Sequence, residues 1–163
     1  MTDCALRSAV QESQAWDELE MKRRQELGDV CYLVFVGERC VHYSWITQRQ
    51  RNITEIGFEA TLKDKNYWIY DCYTTPTYRG HSIYPHVLTR ILEDVQNKEG
   101  ERVWIDVRDS NYSSVKGIAK AGFIDVALLE KKILFSSIVL LRHKSILNPP
   151  LGKLLDQMPC HFN

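Results

Sequence analysis

The sequence has 163 residues, 21 basic and 21 acidic, and so a formal charge of zero; it presents no basic footprint for nucleic acid or an anionic membrane, though a local basic loop remains compatible with that balance. One domain is the prior at this length, large enough to bury roughly 70% of its unfolded surface without a staple. Cys4, Cys31, Cys40, Cys72 and Cys160 are odd in number and include no C-x-x-C pair. With no signal peptide and no apolar run long enough to span a membrane, they read as reduced thiols of a cytoplasmic protein without a metal site.

In chain order, residues 3–27 predict a packing helix, with Leu6, Ala9, Val10, Trp16 and Leu19 on its apolar side and Gly28 as its stop. Residues 30–36 and 40–46 predict two strands around a three-residue loop, Gly37-Glu38-Arg39. Val41, Tyr43 and Trp45 then face one way and His42, Ser44 and Ile46 the other. A lone strand histidine such as His42 is a hydrogen-bonded structural residue more often than a ligand. Residues 47–52 read as a polar connection in which Arg49 and Arg51 are solvated or bind an anion, and 53–61 as one edge strand.

The next strand, 66–74, alternates Tyr67, Ile69, Asp71 and Tyr73 with Trp68, Tyr70 and Cys72. It runs into a tight loop, Pro76-Thr77-Tyr78-Arg79-Gly80-His81, that opens a helix with Ser82 as N-cap and Pro85 in the first turn. Tyr84, Val87, Leu88, Ile91, Leu92 and Val95 form its apolar stripe. A strand-loop-helix of this kind aims unpaired N–H groups and the positive end of the helix dipole at one point, which suits phosphate. After Gly100, residues 103–107 alternate as a strand that puts Asp106 on the face of Trp104 and Arg108. A short helix starts at Asn111 and closes at Gly122 and Phe123. An apolar hairpin follows over 123–143 with its turn near Lys131 and Lys132, and then a tail, 144–163, in which 151–158 suit one short helix. A single domain over 1–163 with its core at 28–143 results.

Pro76-x-x-Arg79-Gly80-x-x-Ile83, a helix, a strand, Asn111-x-x-Ser114 and Lys120-Ala121-Gly122-Phe123 resemble the GNAT superfamily of acyl-CoA-dependent N-acetyltransferases over residues 28–143, most closely over 70–123. Ser82 and Tyr84 stand where that family's loop usually has its next two glycines, and Ile118 stands where its last helix usually has a tyrosine. The resemblance implies an α/β (α+β) fold: a mixed, largely antiparallel central sheet flanked by helices, here without the family's first strand. An open sheet edge of that kind, or the N-terminal helix, could pair two copies as a homodimer.

The same resemblance implies acetyl-CoA as cosubstrate, its pyrophosphate on the backbone of Arg79, Gly80, His81, Ser82, Ile83 and Tyr84. The pantetheine arm would run along Cys72, Tyr73 and Thr74 near Asn111. The implied chemistry is direct attack of an amine on the thioester, the acceptor being a small molecule such as an amino sugar. Asp106 is the first candidate for the base and Asp71 the second, unless either is a structural carboxylate paired with Arg108 or Arg102. With Ile118 unable to donate a proton, the general acid would come from Tyr112, Tyr84 or Tyr73. The departures also allow a non-catalytic acyl-CoA-binding or interaction domain with this fold.

Overall fold

The computed structural model describes residues 18–54, 56–131, 137–145 and 161–162. The first 17 residues, and the helix expected over 151–158, lie outside these. What is described of the N-terminal helix is α1 (Glu18–Glu26), followed by Gly28. Its sequence has little amphipathic character, and it is held by side chains: Glu20 pairs with Arg23 and Arg24 one turn on, while Met21 is buried.

β1 (Val30–Val36) and β2 (Arg39–Thr47) form an antiparallel hairpin. Val36 pairs with Arg39, so the loop is the two residues Gly37 and Glu38, one shorter than expected. β2 is buried from Cys40 to Thr47 because both its faces are covered. The expected single strand over 53–61 is instead a hairpin of β3 (Gln50–Ile53) and β4 (Phe58–Thr61), which with β9 (His161–Phe162) makes a second, three-stranded sheet. The polar composition of 47–52 concealed β3, whose one buried residue is Ile53.

The main sheet has the order β1-β2-β5-β6-β8-β7, with β5 (Asn66–Thr74), β6 (Arg102–Arg108), β7 (Ile124–Lys131) and β8 (Ser137–Ser145). All its pairings are antiparallel except β5 with β6, which are joined through α2 (Ile83–Asn97). The expected turn at Lys131 and Lys132 falls where β7 ends; Lys132 is outside the described residues. The Val87, Leu88, Ile91 and Val95 stripe of α2 is buried against Ile46, Tyr67, Ile69, Val103 and Ile105. The opposite face carries a second core of Trp68, Trp104, Phe58, Ile53 and Leu129. Trp68 and Trp104 stack there with centroids 6.0 Å apart. α3 (Tyr112–Lys120) is capped by Asn111, whose side chain accepts from the Ser114 N–H. Gly122 N–H to Ala119 C=O and Phe123 N–H to Ile118 C=O close it as a Schellman motif.

Two irregularities create the space that a sheet of this size otherwise lacks. Parallel pairing of β5 with β6 ends at Ile69 and Ile105, although β6 continues against β8 to Arg108. β5 therefore leaves its neighbour from Tyr70 onward. Over the same stretch, Tyr43 pairs with Tyr73 but Trp45 pairs with Tyr70, so β5 holds one residue more than β2 between these pairs. That is a β-bulge, and Asp71 takes it up at φ +48°. The bulge overturns the expected alternation. Cys72, not Asp71, packs with Tyr67 and Ile69 on the helix side, and Tyr73 stacks on Tyr43 across the sheet. No helix of the described residues is long and apolar enough to cross a membrane.

Candidate active site

Two cavities flank the opened strand. The first, of about 420 Å³, is lined by Cys72, Tyr73 and Thr74 of β5, by Tyr78, Arg79, Gly80, Ser82, Ile83, Tyr84 and Pro85 of the loop and α2, and by Asn111, Ser114, Gly117 and Lys120 around α3. Nine of the ten residues expected to hold a cofactor are therefore brought together. His81 is the exception: it is exposed, with its ring Nδ1 3.1 Å from the Arg79 carbonyl. Sequence reasoning missed the contribution of α3. Its signal was available in Ser113, Lys116, Gly117 and Lys120, which recur at helical spacing on one face.

The loop starts with a 3₁₀ turn, Pro76–Tyr78, and Arg79 is fixed by an Nε bond to the Thr74 carbonyl at 3.0 Å. Gly80 follows at φ +84°. Ser82 is at the N-cap position, but in the left-handed region, φ 59°, and its side chain makes no capping bond. The expectation that Ser82 would cap is thus corrected in its chemistry: a cap normally has extended backbone so that its oxygen can reach back to N2 or N3. Pro85 has no N–H and the His86 N–H bonds the Ser82 carbonyl at 3.2 Å, so the N–H groups of Ile83 and Tyr84, two residues of the cavity wall with Arg79, are the ones left without an acceptor among the described residues. A diphosphate fits this arrangement of donors.

Tyr84 turns inward from the first turn. It packs with Cys72 at the edge of the helix-side core, the Cys72 thiol donating to the Tyr70 carbonyl at 3.7 Å, and burial holds the Tyr84 phenol well above its ordinary range. The ring lies 5.7 Å from that of His42 and passes so close to α3 that a Cβ on Gly117 would be 2.9 Å from Tyr84 Cδ1. Of the three tyrosines expected as acid candidates, Tyr73 and Tyr84 line the cavity, while Tyr112 is 73% exposed. Ile118 is fully buried in the helix-side core.

His42 is also at the cavity wall and is 1% exposed. Its Nδ1 is 2.7 Å from Thr74 Oγ1 and its Nε2 2.8 Å from Ser44 Oγ, and desolvation lowers its pKa from 6.5 to about 4. It is neutral at pH 7 and structural, as a strand histidine of this kind should be. The unfolded state binds the proton between these pH values and the folded state does not, so stability is full above pH 6.5 and falls as pH drops toward 4. From pH 7 to pH 5 the loss should be about 2 kcal/mol. Urea midpoints at the two pH values for the wild type and for His42→Gln test this, since the variant should lose that part of the slope; an equal slope assigns the effect elsewhere.

The second cavity, of about 970 Å³, is on the other side of the sheet, between α1, the β2–β3 turn and Asp71. It is charged. Glu20 receives two bonds from Arg23, which with Arg24 hold its carboxyl down at about 2. Arg24 also bonds Asp71 at 2.7 Å, and the Tyr70 ring lies between the Arg24 and Arg51 guanidinium groups at 5.0 and 5.6 Å. The Tyr70 hydroxyl donates to Asp29, and burial raises its pKa. Asp106 adjoins this network: it accepts from Arg51 Nε and Nη2 at 2.9 and 3.1 Å and from Trp68 Nε1 at 2.7 Å. The two candidate carboxylates are therefore paired with Arg51 and Arg24, not with Arg108 and Arg102. Such partners, 55 and 47 residues distant in the chain, leave no local signal. Asp71 and Cys72 are consecutive, yet one lines the second cavity and the other the first.

A family model described as acetyltransferase (GNAT) family matches residues 3–123. Among solved structures, the ribosomal-protein-S18-alanine N-acetyltransferase of Escherichia coli superposes with a TM-score of 0.67 at 11% identity, covering 92% of this chain and 93% of that one. The yncA protein of Salmonella typhimurium, solved with acetyl-CoA, gives 0.65 at 13% identity over 90% of each chain. An acetyltransferase of Bacillus subtilis in complex with CoA gives 0.64 at 9% identity over 90% and 94%. At such identities these structures speak to the fold. No curated protein matches the chain in sequence.

Proposed function

The chain belongs to the GNAT acetyltransferase family, and from that premise we propose that it moves an acetyl group from acetyl-CoA to a primary amine of a small molecule, an amino sugar being one candidate, by direct attack. The observation that carries this reading is the pair of cavities backed onto one bulge, so that a thioester entering along Cys72 and an amine entering past Asp71 meet through the opened sheet. The first-turn N–H groups of α2 and Arg79 hold the diphosphate, with Lys116 and Lys120 as further cations at the wall. The β5 backbone from Cys72 to Thr74 and the side of α3 headed by Asn111 guide the pantetheine arm. The amine nitrogen bonds to the carbonyl carbon as the carbon–sulfur bond breaks. Asp71, bonded to one arginine and 34% exposed, is better placed to take the amine proton directly or through water than Asp106, whose carboxylate already accepts from three donor atoms.

Tyr84 supplies the donor for the leaving sulfur. It lines the first cavity together with Cys72 of the bulge, and burial raises its pKa, so it stays protonated at neutral pH. Tyr84→Phe should lower thiol release from acetyl-CoA roughly 10- to 100-fold, with affinity for CoA, read by calorimetry, changed by less than about threefold. An unchanged rate would remove Tyr84 from the chemistry. A second reading, a non-catalytic acyl-CoA-binding domain, is favoured by the core position of Ile118. Calorimetric binding of acetyl-CoA without thiol release against any of a panel of amines would establish it. A homodimer would use the β1 edge, where Val30, Phe35 and Val36 are exposed.

A further inference from the structure

We propose that the acceptor is an amine that also carries an anionic group, carboxylate or phosphate, and that Arg49 binds that group; this rests on the transferase reading only in taking the second cavity as the acceptor's. The charges lining that cavity decide the matter. Arg23 is held by Glu20, Arg24 by Glu20 and Asp71, and Arg51 by Asp106. The remaining acid, Asp29, accepts from the Tyr70 hydroxyl. Arg49 alone among the lining arginines makes no side-chain bond among the described residues.

Its backbone, by contrast, is fixed. The Arg49 N–H donates to Thr47 Oγ1 at 3.2 Å and its carbonyl accepts from the Leu62 N–H at 2.8 Å, which ties the β2–β3 turn to the end of β4. Arg49 therefore carries its exposed side chain on a pinned backbone between Gln48 and Gln50, which also line the cavity. A forked cation with five donors beside two amide side chains suits a carboxylate or phosphate oxygen pair. An amine without an anionic group would leave that cation unused, while the other lining arginines are already held by carboxylates. An amine that brings one anionic group gives Arg49 a partner, its nitrogen directed to the acid side at Asp71 and Asp29.

The test is calorimetry on the CoA-loaded protein, which reads acceptor binding whether or not transfer occurs. Glycine, β-alanine and 4-aminobutyrate are each compared with the alkylamine of the same length, and O-phosphoethanolamine with ethanolamine. The anionic member of a pair should bind at least tenfold more tightly. Arg49→Gln should bring the ratio near one, and Arg49→Lys should restore part of it. The carboxylate and phosphate arms show which anion the site takes. Equal or tighter binding of the neutral members, a ratio that survives Arg49→Gln, or preference for an uncharged peptide N-terminus over every small anion overturns the proposal. If anionic amines bind through Arg49 while thiol release is absent, the site stands and the transferase reading fails instead.

Discussion

Gly80→Glu should weaken CoA binding roughly 100-fold, measured by calorimetry, and Gly80→Ala only a few-fold. Gly80 has φ +84°, where any side chain is strained, yet nothing lies within 4 Å of an added Cβ. The backbone cost, about 1 kcal/mol, is therefore common to both variants and appears mainly as lost stability. The charge belongs to glutamate alone. It lies at the positive end of α2, where a carboxylate is itself welcome, and so competes for the N–H groups that the αL backbone of Ser82 leaves unbonded. Two unit charges 4 Å apart at an effective dielectric of 20 repel by about 4 kcal/mol, and solvent at this exposed loop reduces that to about 2 to 3 kcal/mol. The gap between the variants should narrow at high salt. Glutamate and alanine variants that bind alike would place the phosphates elsewhere.

The parts of this site legible in the sequence are those set by neighbours along the chain. The α2 stripe, the Asn111 cap and the Gly122 stop each involve residues within a few positions, and each stands where local spacing put it. The parts that were not legible depend on pairing between strands. Alternation along 66–74 cannot reveal an inserted residue, because the bulge is defined by the register of β5 against β2. That single residue sends Asp71 to one cavity and Cys72 to the other. The inward turn of Tyr84 likewise depends on the absence of a side chain at Gly117, 33 residues on, which gives the ring its seat. The β3–β4 hairpin was lost for a different reason: its strands are four residues each, and at Gln50, Arg51 and Asn52 composition argues for a loop.

The carboxylate at Asp106 tests whether a group can be both a support and a reagent. Asp106→Ala should destabilise the fold by about 3 kcal/mol, read as a lower urea midpoint with unchanged slope. The pair with Arg51 is 13% and 22% exposed, so its loss costs less than the 3 to 5 kcal/mol of a fully buried pair. To that is added the indole N–H of Trp68, a fully buried residue that would lose its acceptor at about 1 to 3 kcal/mol. Asp106→Asn can keep the oxygen that accepts from both Trp68 Nε1 and Arg51 Nε, loses the acceptor for Arg51 Nη2 together with the charge, and should cost about half as much. The asparagine variant then separates the roles. A base acts on the amine and not on CoA, so if Asp106 is the reagent, turnover falls at least 100-fold with CoA affinity intact, and Asp71→Asn has the smaller effect. If Asp106 holds Arg51 beside Tyr70 as support for the acceptor wall, the fall in turnover is tenfold or less and appears in KM for the amine, while Asp71→Asn gives the larger loss in kcat. The bond pattern, three donors on Asp106 against one on Asp71, makes the second result the expected one.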